Sequence, residues 1–296
     1  MSRLPAWASS TGGMGGNNSP STLLHRFTKD RLRVEIHTDR DSLGLAAAIA
    51  VAGTMRASIE SQDRVGLILA SAPSQYEFLA ALSSQPRLRW RRVAAFQMDE
   101  FIDLPKDSPR SLGSYLRKHL FDAVRPGLVN YMRGYSPDLS AEITRYTSLF
   151  CACPPDITCA GIGENGHLAF NEPRVADFET SALVAIAELT DESRRQQAND
   201  GLFDDPREVP LRALTLTVPA LLSASMIVCM APGESKAEAV RAMLTGPVTT
   251  DCPASILRSH PNATLYLDAA SARVILGPPS ALRADKERAH NGEPIL

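Results

Sequence analysis

The chain has 296 residues, of which 44% are hydrophobic, and this suits one large or two small globular domains with a sizeable core. A net charge of −2 without a basic stripe argues against nucleic acid as a partner. The longest uncharged apolar stretch, residues 42–55, is too short to span a bilayer, so no membrane partner is expected. Five cysteines without CxxC spacing favour reduced thiols and a cytoplasmic location.

Strand and helix patterns alternate after an N-terminal stretch rich in glycine, serine and asparagine. That composition predicts a flexible tail over residues 1–30, then a single domain over 31–285 and a C-terminal tail over 286–296. In helix 41–60, Leu45, Ile49, Ala52, Met55 and Ile59 recur at three- and four-residue steps, which predicts that they share one face.

The other predicted elements, in chain order, are strand 33–38, strand 65–70, helix 74–82, strand 92–98, helices 111–124 and 139–151, strands 156–163 and 225–231, helix 235–244 and strand 263–268. Their alternation predicts an α/β fold, a doubly wound and mainly parallel sheet with helices on both faces. Ligands bind such sheets beyond the carboxyl ends of the strands. The chemistry is therefore expected in four loops after strands, at 71–75, 99–104, 161–173 and 232–236.

The loop "GIGENGHLAFNEP" (161–173) combines three glycines with His167 and Glu172. A histidine transfers protons near neutral pH, and a nearby carboxylate would hold its tautomer and raise its basicity. A tight turn with a structural histidine is an alternative interpretation. A metal site is another, although no second histidine or cysteine lies close by in the sequence.

Two adjacent acids, Asp99 and Glu100, end the strand at 92–98. Partial burial raises a carboxyl pKa towards working pH, so this pair suits proton abstraction from carbon. A helix cap or a solvated turn would equally explain them.

Two further loops are candidates for binding an anion. "SAPSQ" (71–75) supplies hydroxyls and backbone N–H groups before a helix, and "APGESK" (231–236) places Lys236 in a first helical turn. The alternatives are ordinary helix capping by Ser71 or Ser74 and pairing of Lys236 with Glu234. Together the four loops indicate proton transfer on a small phosphorylated carbonyl compound or sugar.

The segments "MDEFIDLP", "SPRSLGSYLRKHLFD" and "GIGENGHLAFNEP" resemble the glucosamine-6-phosphate deaminase (isomerase) family, which is related to 6-phosphogluconolactonases, and the likeness covers about residues 31–275. The resemblance implies a modified doubly wound α/β fold and conversion of an aminosugar 6-phosphate to a ketose 6-phosphate and ammonia. It implies no cofactor and no metal, and it allows a homo-oligomer.

The resemblance also assigns roles. Asp99 would move a proton between C2 and C1, His167 would assist ring opening, and Asn165 and Glu172 would position His167, which makes these four the candidate catalytic residues. The candidate substrate-binding residues, with the phosphate loop and the phosphate-binding lysine among them, are Ser71, Ala72, Ser74, Gln75, Glu100, Gly163 and Lys236.

Three departures from the family pattern bear on the substrate. Asn165 stands where an aspartate is common, and Pro73 removes a backbone donor from the phosphate loop. Gly201 stands where the family has a second phosphate-binding arginine, with Arg194 or Arg195 as candidate substitutes. Two other functions remain open, a 6-phosphogluconolactonase-type hydrolase and a sugar-phosphate sensor without turnover.

Overall fold

The computed structural model describes residues 22–276. The predicted C-terminal tail lies outside this range. The predicted N-terminal tail is too long, because Leu23–Lys29 forms a strand that pairs antiparallel with Leu32–His37. Every residue of "LLHRFTK" is at least partly exposed. The segment therefore has no continuous apolar run of the kind that predicts the inner strands.

The main sheet of the described chain has eight strands. In chain order they are β1 (Leu23–Lys29), β2 (Leu32–His37), β3 (Val65–Leu69), β4 (Val93–Gln97), β6 (Leu128–Asn130), β7 (Ile157–Gly161), β10 (Met226–Ala231) and β11 (Ala263–Asp268). Their spatial order is β1-β2-β11-β10-β7-β3-β4-β6. Every neighbouring pair except β1–β2 is parallel, which confirms the predicted mainly parallel sheet.

The helices are α1 (Arg40–Ser61), α2 (Tyr76–Ser83), α3 (Leu112–Leu116), α4 (Asp122–Val124), α5 (Leu139–Ala152), α6 (Asp191–Asn199), α7 (Val218–Leu222), α8 (Ala237–Thr245) and α9 (Arg273–Leu276). A π-helical segment, Arg117–Phe121, joins α3 to α4, so the helix predicted at 111–124 is one irregular helical stretch. Helices α6 and α7 and strand β6 were not predicted.

Helix α1 forms where predicted, but the predicted face is right only in part, since Ala52 and Met55 are buried and Leu45 and Ile49 are not. Its buried side consists of small and apolar residues, Leu43, Gly44, Ala47, Ala48, Val51, Ala52 and Met55, whereas Leu45 and Ile49 are 48% and 53% exposed. The helix is apolar almost all round, so periodicity could not choose a face. By length and composition it could cross a membrane, but it packs onto the sheet as a core helix.

Two apolar layers cover the two faces of the sheet. Along β3, Leu67 and Leu69 face the layer that contains α1 and α2, and Ile68 faces the layer that contains Phe96 and Tyr146. Cys159 and Cys229 are fully buried in these layers, as expected for small core residues, and burial raises the pKa of both thiols.

A second, antiparallel sheet lies beside the main one. It consists of β5 (Asp99–Phe101), β9 (Arg212–Leu216) and β8 (Val184–Glu188), in the order β5-β9-β8. Because β5 follows β4 after a single residue, Asp99 lies where the chain passes from one sheet to the other. Its Cα is paired with that of Thr215 in the neighbouring strand of the second sheet, which holds the backbone of the acid in place.

The order of strands places the loops together. The chain runs outward from β3 to β4 and β6, and then returns to insert β7 between β3 and β10. This reversal is the point at which doubly wound sheets open a crevice. The loops after β3, β4, β7 and β10 therefore meet at one edge.

Candidate active site

A pocket of about 50 Å³ lies at that edge of the sheet. Its walls come from all four loops and from α6 and consist of Ala70, Ser71, Ala72, Ser74, Met98, Asp99, Leu112, Gly161, Ile162, Gly163, His167, Ala169, Phe170, Gln196, Gln197 and Lys236. The predicted residues Ser71, Ala72, Ser74, Asp99, Gly163, His167 and Lys236 thus share one pocket. Gln75, Glu100, Asn165 and Glu172 do not line it.

Asp99 is the carboxylate in the pocket. It is 7% exposed, and no group within residues 22–276 donates a hydrogen bond to its side chain. Burial raises the pKa of Asp99 to about 8, and the negative charge of Glu100 adds to the rise. A carboxyl group in this state takes a proton readily once it is ionised, since its charge is poorly solvated.

Glu100 has a different role from the one expected. Its two oxygens accept four hydrogen bonds, from the backbone N–H groups of Phe101, Leu112 and Gly113 at 2.9–3.0 Å and from Gln97 Nε2 at 2.8 Å. The carboxylate faces a separate cavity of about 200 Å³ beside Tyr131. Burial raises the pKa of Glu100 and these hydrogen bonds oppose the rise. Glu100 therefore holds the start of α3 and does not line the pocket that contains Asp99.

His167 packs directly on the backbone of Gly163. A Cβ at Gly163 would lie 2.2–2.4 Å from three atoms of the imidazole ring, so any other residue would displace the histidine. The turn is closed by the N–H of Gly163 donating to His167 O at 3.0 Å and by Gly166 with φ 89°. Gly163 thus acts by making room for His167.

A chain of polar groups lies behind the imidazole. His167 Nδ1 is 3.3 Å from Ser193 Oγ, and Ser193 Oγ donates a short hydrogen bond to Glu172 Oε1. Asn165 Nδ2 donates to Glu172 Oε2 at 2.9 Å, while Asn165 Oδ1 accepts from the backbone N–H of His167 at 3.1 Å. Glu172 is 1% exposed, so its charge is held by these donors and not by water.

This network sets the tautomer of His167. Because the Ser193 hydroxyl gives its hydrogen to Glu172, it can only accept from His167 Nδ1, which then carries the proton. Burial lowers the pKa of His167, Glu172 opposes this and Lys236 adds to it, so the ring is neutral near pH 7. The free Nε2 is then available as a proton acceptor.

Polar groups without partners lie at the opposite end of the pocket and in the loop directly beneath it. Ser71 Oγ and Gln75 Oε1 are buried and have no hydrogen-bond partner, and Lys236 is 6% exposed without a hydrogen bond or ion pair among the described residues. Gln75 Nε2 donates to Ser74 Oγ at 3.0 Å, so Gln75 supports the loop from beneath. Buried polar groups without partners are rare and fit a site that binds a polar ligand.

Neither arginine proposed as a substitute reaches the pocket. Arg194 donates to Val209 O and to Asp191, and Arg195 pairs with Glu192 beside a different cavity. Arg40 was not predicted and lies near Lys236, whose pKa its charge lowers. Its guanidinium is already held by both Glu77 oxygens, at 2.8 and 3.1 Å, and by Pro73 O.

Sequence reasoning missed the contribution of α6. Ser193 lies in the first turn of this helix, behind His167, and Gln196 and Gln197 line the pocket. The segment "DESRRQQAN" is polar all round, without an apolar face to reveal the helix.

Comparisons with known proteins agree with this geometry. Residues 38–266 match the family described as Glucosamine-6-phosphate isomerases/6-phosphogluconolactonase. A glucosamine-6-phosphate deaminase of Rhodopirellula baltica is 35% identical over 253 residues, covering 82% of this chain and 96% of that protein. One of Lactobacillus delbrueckii subsp. bulgaricus is 35% identical over 218 residues, covering 73% and 89%.

Two solved structures are also similar. A monomeric glucosamine-6-phosphate deaminase has a TM-score of 0.74 at 29% identity, covering 81% of this chain and 98% of that one. A 6-phosphogluconolactonase of Trypanosoma brucei has a TM-score of 0.65 at 18% identity, covering 84% and 98%, which shows a shared fold.

Proposed function

Because the chain belongs to the glucosamine-6-phosphate isomerase/6-phosphogluconolactonase family, we propose that it converts an aminosugar 6-phosphate to a ketose 6-phosphate and ammonia. The observation that carries the proposal is the state of Asp99. Its carboxyl lines the pocket with His167 and has a pKa raised to about 8. Hydrolysis of a lactone needs an activated water but no carbon base, so this carboxyl favours the isomerase over the lactonase.

Ring opening is the first step in the proposed reaction. Neutral His167 accepts the proton of the C1 hydroxyl at Nε2 and then donates it to the ring oxygen as the bond between C1 and that oxygen breaks, which leaves an open-chain aldehyde with the amine at C2. Ser193 and Glu172 stabilise the protonated ring through Nδ1, because the serine hydroxyl relays the negative charge of the glutamate.

Asp99 carries out the second step. Its ionised carboxyl removes the proton from C2 and returns it to C1, while O1 gains a proton and the amine loses one, so that C1 becomes an alcohol and C2 an imine. Water then adds to the imine and ammonia leaves, giving the ketose, so the overall change consumes one water and releases one ammonia. No oxidant or cofactor enters this balance.

The binding groups lie at the far end of the pocket. Lys236 and the unpartnered Ser71 hydroxyl support binding of the phosphate, with the backbone of the 71–75 loop around it. Reduced cysteines and a sugar-phosphate substrate support a cytoplasmic location.

The test measures ammonia and ketose-phosphate release from glucosamine-6-phosphate and galactosamine-6-phosphate, with 6-phosphogluconolactone in a parallel assay. Ammonia release that depends on Asp99 is the expected result. Lactone hydrolysis that requires His167 but survives Asp99→Asn would instead assign the chain to the hydrolases. Folded protein that binds a sugar phosphate but turns over neither substrate would point to a sensor.

The role of His167 has a separate test. His167→Gln should slow turnover of the cyclic aminosugar more than the reverse reaction, in which open-chain ketose and ammonia are supplied. If His167→Gln slowed the forward and reverse reactions equally, ring opening would not be the main function of the histidine.

A further inference from the structure

A second cavity of about 300 Å³ adjoins the anion-binding end of the substrate pocket. Ser71 and Gln197 line both spaces, so they stand at the boundary between them. Past them the walls include Asp200, Gly201, Lys118 and His119. The substrate pocket is therefore open at the end where a distal phosphate would lie.

Gly201 keeps this second cavity open. A Cβ on Gly201 would meet no atom within 4 Å, so neighbouring side chains do not fill the space in front of it. Its φ of 79° lies in the left-handed region, which a larger residue adopts only with strain. The turn thus favours glycine, and the absence of a side chain there leaves room for a ligand.

The charged side chains around this boundary do not supply the net positive charge that a doubly charged phosphate group would need. Lys236 is the cation that lines the pocket, and its pKa is lowered by burial, with Asp200 and Glu164 opposing that change. The nearby Arg40 is paired with Glu77. Asp200 is half-buried and accepts a hydrogen bond from Gln196 Nε2 at 3.4 Å, so a carboxylate lies close to the place of the phosphate.

A phosphate monoester carries a charge of about −1.5 to −2 at pH 7. Three cations, of Lys236, Arg40 and Lys118, lie among three carboxylates, of Asp200, Glu77 and Glu164, so this end of the pocket carries no net positive charge. A phosphodiester carries a single negative charge, which Lys236 alone can meet. Its second ester group also needs space beyond the phosphate, and the cavity supplies that space.

We propose that the cavity between Ser71 and Lys118 is a second subsite, and that the preferred substrate is an aminosugar whose 6-phosphate carries a further polar ester group. This inference rests on the proposed function, since it extends the same substrate at its distal end. The exposed ammonium of Lys118 and the ring of His119 form the far wall against which that group lies. The His119 ring is tilted by 36° to the Tyr115 ring, with the two centroids 4.4 Å apart.

The first experiment compares glucosamine-6-phosphate with its methyl and glyceryl phosphodiesters on the unaltered protein. The glyceryl diester should have a kcat/KM roughly tenfold or more above the monoester, the size of one well-placed hydrogen-bonded contact to a charged group. A monoester preference would overturn the subsite and leave the deaminase proposal standing. If neither is turned over, the deaminase proposal fails, and titration calorimetry of the same compounds still decides whether the diester binds more tightly.

The second experiment fills the subsite. Gly201→Arg places a long cationic side chain in the cavity, and Gly201→Ala is its matched control because both residues bear the same left-handed strain. Relative to the alanine variant, the arginine variant should lose roughly tenfold on the glyceryl diester and gain on the monoester. Equal effects on both substrates, with equal melting temperatures of the two variants, would show that the cavity takes no part in binding.

Discussion

The two ends of the pocket differ in how completely their polar groups are paired. Behind His167, the side chains of Ser193, Glu172 and Asn165 bind one another, and the described residues show no buried orphan atom among them. At the distal end, Ser71 Oγ, Gln75 Oε1 and the ammonium of Lys236 have no partner within residues 22–276.

The difference reflects two demands on a site. A proton-transfer group must be held in one tautomer and orientation before the substrate arrives, so its partners belong to the protein. A group that binds the ligand must keep its hydrogen-bonding atoms free for it, so these atoms have no partner within the described part of the chain. Asp99 lies between these cases, since burial and not a partner sets its basicity.

Removing the carbon base gives the largest expected effect. Asp99→Asn keeps the shape of the side chain but replaces the carboxylate, the proposed acceptor of the C2 proton, by an amide that is not basic, so kcat should fall by about two to four decades. KM should change little, because the proposed phosphate-binding groups are at the other end. Steady-state kinetics of ammonia release provide the measurement, and a loss of less than about tenfold would place the base elsewhere.

Removing the cation from the distal end should mainly affect binding. Lys236→Met retains the buried stem and removes a charged hydrogen bond of about 1.5–3 kcal/mol, so kcat/KM should fall roughly 10- to 150-fold, chiefly through KM. Melting temperature should hold or rise, because a buried and unpaired charge is lost. Lys106→Met is the control, because it removes the same charge from the surface. A similar kinetic loss in that variant would show that the net charge of the protein, and not a direct contact of Lys236 with the phosphate, determines binding.

Loosening the paired end should have a smaller effect. Ser193→Ala removes the hydroxyl between His167 and Glu172, worth about 0.5–1.5 kcal/mol, so kcat should fall roughly 2- to 10-fold. Ser193→Thr restores the hydroxyl and should restore the rate. The NMR titration of the His167 ring should also shift in the alanine variant and recover in the threonine variant, whereas a purely structural role would leave the titration unchanged.

The sequence predicted the framework well where apolar runs are unambiguous. Strands β3, β4, β7, β10 and β11 form within a few residues of their predicted bounds, since each is buried on both faces. The second sheet and α6 were missed. Strand β5 has only three residues, β9 lacks a continuous apolar run, three of the five residues of β8 are at least partly exposed, and α6 is polar all round. The four loops were found because strand ends define them.

The roles of the site residues were harder to predict than their positions. Asp99 and Glu100 are adjacent and equally acidic in sequence, yet one faces the pocket and the other holds α3. Alternation of side chains along β5 separates them, and the sequence did not reveal that this strand exists. Ser193 lies 26 residues from His167 and was beyond any local pattern.

The pH dependence of stability gives the most specific test of the state of Asp99. Its pKa is raised from the ordinary 3.8 to about 8 in the folded chain, so between these values the folded state binds the proton more tightly than the unfolded state. The contribution of this proton to stability is fully present below pH 4 and is lost as the pH rises through about 8. Asp99→Asn, which is neutral at every pH, has no such loss.

The melting temperature of the unaltered protein should therefore fall relative to that of Asp99→Asn as the pH is raised from 5 to 8, by roughly 5–15 °C for a chain of this size. Over the same interval kcat/KM should rise with pH, since only the ionised carboxyl accepts the C2 proton. Other groups titrate equally in both proteins, so the difference between them isolates Asp99. Parallel melting curves across this range would show that Asp99 ionises normally, and the carbon base would then need another source of basicity.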